Sequence, residues 1–93
     1  MLYIRLCYDK TGMRPVREQM RMQHRAYLQE QPLKLVVAGP LCESDESDGN
    51  IASFMIVEAD SIEDVRRMHD GDPFTRAGVF GDVHIHRWDK HIG

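Results

Sequence analysis

The stretch DGDPFTRAGVFGDVHIHRW, Asp70 to Trp88, changes character twice, and its reading decides the fold. Gly71 is placed to stop a preceding helix, because glycine tolerates the backbone that helix ends require. Asp72-Pro73 then opens a short helical turn that runs to Gly78. Aspartate is among the preferred N-caps and proline suits the first helical position, with the Thr75 N–H the expected bonding partner. From Asp82 the sequence alternates, Val83 and Ile85 against His84, His86 and Trp88, which is the period of a strand.

Working back from that stretch, Ser61 begins the helix that Gly71 stops, with Asp64 as a weaker form of the capping box. Ile62, Val65, Met68 and His69 form its inner stripe. Ala52 to Glu58 reads as a strand. Before it, CESDESDGN (Cys42–Asn50) is acidic and poor in apolar residues, so a solvent loop is expected. LKLVVAG (Leu33–Gly39) is a strand closed by Gly39-Pro40. Val16 to Gln29 is a helix, opened by Pro15 and ended by Pro32, with Val16, Met20, Tyr27 and Leu28 on one face. Leu2 to Tyr8 alternates Leu2, Ile4, Leu6 and Tyr8 against Tyr3, Arg5 and Cys7, and a turn follows at Asp9–Gly12.

The order is β-α-β-β-α-β, an α+β ferredoxin-like unit whose helices cover one face of a four-stranded antiparallel sheet. The other face is also apolar, since Val36 and Ala38 accompany Leu35 and Val37. An uncovered face of that kind is an association surface, and a second copy is its simplest cover.

At 93 residues the chain is expected to be a single domain spanning residues 1–93, without repeats or linkers. A chain of that size buries about 60–65% of its unfolded surface, which also favours a partner. The two cysteines, Cys7 and Cys42, lack zinc-type spacing, and no secretory leader or membrane-length apolar run is present. A cytoplasmic protein is therefore expected. Net charge is −3. The basic cluster MRPVREQMRMQHR (Met13–Arg25) is interrupted by Glu18 and spread by helical spacing, so it reads as a solvated face, not a nucleic-acid patch.

Two residues stand out for chemistry. His24 lies on the inner face of the first helix, where an imidazole is either a satisfied core group or a site residue. Asp72 is a helix cap, and a carboxylate beside an imidazole would also fix its tautomer and leave a base. His84 and His86 form an H-x-H pair that His69 or His91 would have to complete, and no local third ligand makes a metal site. Neither cysteine has a neighbouring histidine for thiol catalysis. Gly78–Gly81 lacks the lysine and following helix of a phosphate loop.

HRAYL (His24–Leu28), AGPL (Ala38–Leu41) and DPFTRAGVFGDVHIHRW (Asp72–Trp88) resemble the signature of the YciI-like family. The resemblance covers nearly the whole chain and departs from the family mainly at Asn50-Ile51, where members often carry another glycine. It implies a dimeric α/β barrel built on the ferredoxin-like unit, with His24 and Asp72 as the active-site pair. Relatives include a dehydrochlorinase of a chlorinated hydroxyquinol and the muconolactone isomerases. Both reactions move a proton beside a carbonyl or enol without a cofactor. The expectation is a homodimeric lyase or dehydrochlorinase-type enzyme acting on a small cyclic or aromatic-derived molecule, with no metal or other cofactor. Tyr27 and Phe74 would be pocket walls and Arg5 an anion clamp, with plain packing the competing role for all three. A non-catalytic small-molecule binding dimer and a cofactor-free monooxygenase are the alternatives.

Overall fold

Alternation in the first strand divides the sheet into two faces. In the computed structural model, which describes residues 1–93, β1 (Leu2–Asp9) buries Tyr3, Arg5 and Cys7 on the helix side. Its register with β3 (Ser47–Glu58) sets Tyr3 opposite Val57, Arg5 opposite Met55 and Cys7 opposite Ser53. Residues directly opposite in an antiparallel pair share a face, so these six form the floor beneath the helices. Adding β2 (Lys34–Ser44) and β4 (Phe80–Trp88) gives the antiparallel order β2-β3-β1-β4. The ferredoxin-like arrangement is therefore as expected.

Three helices lie on that floor. α1 (Arg14–Glu30) has Pro15 in its first turn and ends where the Gln31 side chain donates to the Leu28 and Leu33 carbonyls, one residue before Pro32. α2 (Ile62–Gly71) is capped by Ser61, whose hydroxyl accepts the Asp64 N–H at 3.3 Å. Gly71 does not end α2 through a left-handed backbone, as the sequence suggested; it is the last helical residue and has no positive φ. Clearance is what it supplies, because a Cβ there would stand 2.5 Å from the Tyr27 hydroxyl oxygen. α3 (Pro73–Arg76) is a single turn capped by Asp72, which accepts the Phe74 N–H and not that of Thr75. Gly78, at φ 74, makes the left-handed turn from α3 into β4.

The acidic stretch is a correction. Cys42–Asn50 is not a loop but the tip of a β-hairpin, with Cys42 opposite Asn50 and Ser44 opposite Ser47 around a turn at Asp45 and Glu46. A hairpin tip wetted on both sides is held by backbone hydrogen bonds, so its side chains carry no apolar alternation.

The core forms two clusters. Tyr3, Leu28, Met55, Val57, Val65 and Met68 fill one, and Cys7, Phe74, Val79 and Phe80 fill the other. Fully burying a side chain such as Val57 or Phe74 contributes about 1.5–3 kcal/mol. On the opposite face, Ile4 aligns with Ile56 and His86, and Leu6 with Phe54 and His84. No helix covers this second face, and Val37, Leu41 and Trp88 are among its exposed apolar residues. No helix is long and apolar enough to cross a membrane.

Candidate active site

Capping α3 places a carboxylate in the interior. Asp72 is fully buried, and its two oxygens take up three partners. Oδ1 accepts the Phe74 N–H at 2.9 Å and lies 2.7 Å from His24 Nδ1 on α1. Oδ2 accepts from Arg5 Nη2 at 2.8 Å, delivered by the middle of β1. Burial alone would raise the Asp72 carboxyl, and it is the largest single influence. The His24 hydrogen bond, the Arg5 charge and the Phe74 N–H together outweigh it and hold the group below its ordinary value. Asp72 is thus a carboxylate, and the His24 nitrogen facing it carries a proton. In the neutral ring that leaves Nε2, which has no partner in the protein, as the nitrogen with the lone pair. The imidazole is fixed from the side as well, stacked on Phe74 with centroids 3.8 Å apart and planes 6° from parallel.

A further histidine stands behind Arg5. His69 Nδ1 is 3.3 Å from Arg5 Nη1 and 3.4 Å from the Thr75 hydroxyl. Burial first, then the Arg5 charge, lowers its pKa, so the ring is neutral and accepts from the guanidinium.

His24 and Phe74 open onto a cleft of about 350 Å³ between α1 and the β2–β3 hairpin. Leu28, Leu35, Pro40 and Phe74 give it apolar walls, and Asn50 and Ser53 give it polar ones. Arg17, Arg21 and Arg25 line it too. Arg17 is buried and bidentate on Asp9, at 2.7 and 3.0 Å, and it also donates to the Ser53 hydroxyl at 2.6 Å. Its guanidinium lies 4.7 Å over the Phe74 ring, clamping the ring that stacks on His24.

Of the residues singled out from sequence, His24, Asp72 and Phe74 come together. Arg5 and Tyr27 do not line the cleft. Arg5 is fully enclosed beneath Asp72, its Nη2 spent on that carboxylate, and so is not placed as a clamp for a bound anion. Tyr27 turns toward α2, where its hydroxyl donates to the Met68 carbonyl at 2.8 Å and faces Gly71. The basic cluster is only in part the solvated face expected: Arg14 and Arg25 are exposed, but Arg17 is buried, and Arg17, Arg21 and Arg25, at four-residue spacing, line the cleft. Arg17 also lies seven residues before His24, a spacing that sets both on one helical face and could have flagged it.

His84 and His86 stand 6.4 Å apart on the open sheet face, away from His69. His91 pairs instead with exposed Asp89, and no three His, Cys, Asp or Glu side chains group as metal ligands. Burial, chiefly, pushes the Cys7 thiol up to about 11, so it is no nucleophile near neutral pH.

The model of the YCII-related domain matches residues 1–89. The chain belongs to the YCII-related family. Within that family it is 32% identical to the protein YciI of Escherichia coli O6:H1, across 97% of this chain and 98% of the relative. The YciI protein of Shigella flexneri matches to the same extent. Among solved structures, the 5-chloro-2-hydroxyhydroquinone dehydrochlorinase of Burkholderia phenoliruptrix AC1100, in complex with 2,5-dihydroxybenzoquinone, superimposes with a TM-score of 0.90. Its identity to this YCII-related chain is 33%, over 98% of this chain and 96% of that one.

Proposed function

We propose that the protein is a cofactor-free proton-transfer enzyme of lyase or dehydrochlorinase type, acting on a small cyclic or aromatic-derived substrate. The observation that carries this reading is the 2.7 Å contact between His24 Nδ1 and the buried Asp72 carboxylate, with Nε2 unpartnered at a cleft. Nε2 takes a proton from the substrate beside a carbonyl or enol. The electron pair of the broken bond forms a new double bond, and in an elimination the leaving group departs with its own pair. No electrons enter or leave, so no oxidant or reductant is needed. Asp72 does not take the proton; it orients the ring and stabilises the imidazolium. The likeness to a dehydrochlorinase supports chlorinated hydroxyquinols and related phenols as the first substrates to test.

The homodimer belongs to the same proposal, with a second copy covering the apolar sheet face. The unpaired thiols of Cys7 and Cys42 suit a reducing, cytoplasmic setting.

The test is a screen of chlorohydroxyquinols, chlorophenols and lactones with product analysis, repeated on His24→Asn. Asparagine keeps a donor toward Asp72 but has nothing at the Nε2 position. Turnover should fall by about 10²–10⁴-fold, the usual contribution of a general base. Undiminished turnover in that variant would remove His24 from the reaction.

A further inference from the structure

Charge in the cleft runs against charge in the chain. The molecule carries a net −3, yet Arg17, Arg21 and Arg25 line the cleft and no aspartate or glutamate does. The three cations are not equivalent. Arg17 is already neutralised by the bidentate Asp9 and spends a further bond on Ser53. Arg21 is bonded to Glu18, a partly exposed pair of the kind that contributes little and exchanges readily. Arg25 is exposed and bonded to no acceptor in the chain.

Arg21 and Arg25 are one helical turn apart, with Cβ atoms about 5–6 Å from each other, and both line the cleft that His24 lines. A planar anion with two oxygens suits a guanidinium fork better than any neutral group does. The apolar walls then have room for a single ring, since a space of about 350 Å³ is at the small end of ligand sites.

Resting on the reading of this cleft as the substrate site, we propose that its substrates carry a ring-borne oxyanion, either a carboxylate or an ionised enol. Arg25 grips it, assisted by Arg21, and so holds the ring with its reacting position at His24. Arg25 is thus a specificity-determining residue, absent from the proton transfer itself.

Binding without turnover tests this. Titration calorimetry is run on the intact protein with 3-hydroxybenzoate, with its neutral isostere 3-hydroxybenzamide, and with 2,5-dihydroxybenzoquinone, whose acidic enols are ionised at neutral pH. At least one anion should bind about tenfold or more tightly than the amide, and which one does so separates the carboxylate from the enolate. Arg25→Gln should abolish that preference, and Arg25→Lys should retain part of it. Equal binding of acid and amide, no binding of either anion, or a preference that survives Arg25→Gln overturns the proposal. A protein that turns nothing over yet prefers an anion through Arg25 would sink the catalytic reading and leave this one standing.

Discussion

Asp72 joins a helix cap, an imidazole and a buried guanidinium, and that combination changes what its substitution should do. As a cap alone it would tolerate asparagine almost without loss. With Arg5 fully buried against it, Asp72→Asn leaves an uncompensated cation and should cost on the order of 3–5 kcal/mol in denaturant unfolding. A loss below about 1 kcal/mol would mean the buried pair is not formed. Acid should expose the same network in two stages. His69 has a folded pKa below 6.5, so under pH 6.5 the unfolded chain takes up a proton that the native state refuses, and stability starts to fall. Asp72, depressed below 3.8, contributes stability that is complete above that pH and is lost as pH falls through its folded pKa. Urea midpoints followed from pH 8 to 3 should show both stages, and His69→Gln should remove the first. The motifs and spacing made His24 and Asp72 legible in the sequence. The destinations of Arg5 and Tyr27 were not, because a strand residue and a helix residue meet their partners through the register and docking of the whole sheet. Arg17 was hidden by its neighbours in a basic run.

At the scale of elements, α1 and α2 meet where Tyr27 lies over Gly71, and the contact leaves no room for a methyl group. Gly71→Ala should destabilise by about 1–3 kcal/mol, as overpacking does. Tyr27→Phe in that background should recover part of the loss by removing the hydroxyl. Additive effects in the double-mutant cycle would mean that the contact is not tight. Gly71 was legible as a helix boundary but not as a clearance, since sequence shows where a chain bends and not what passes above it. The strands at the sheet centre were readable because burial imposes alternation on side chains. The hairpin tip was not, because its order rests on backbone bonds that leave no trace in residue type.

For the molecule as a whole, the open sheet face sets the expected assembly. Ile4, Leu6, Phe54 and Ile56 sit in register at its centre, and a second copy would remove them from water. Light scattering at micromolar concentration should report a dimer, and Ile56→Arg should yield a monomer; a wild-type protein that stays monomeric would refute the arrangement. β1 is common to both sides of the molecule, with Tyr3, Arg5 and Cys7 facing the helices and Leu2, Ile4 and Leu6 facing away. Neighbouring positions along one strand therefore answer to different demands. A scan of charged substitutions from Leu2 to Cys7 should produce a two-beat record, with misfolding at Tyr3 and Cys7 and on charge reversal of Arg5, and dissociation at each even number.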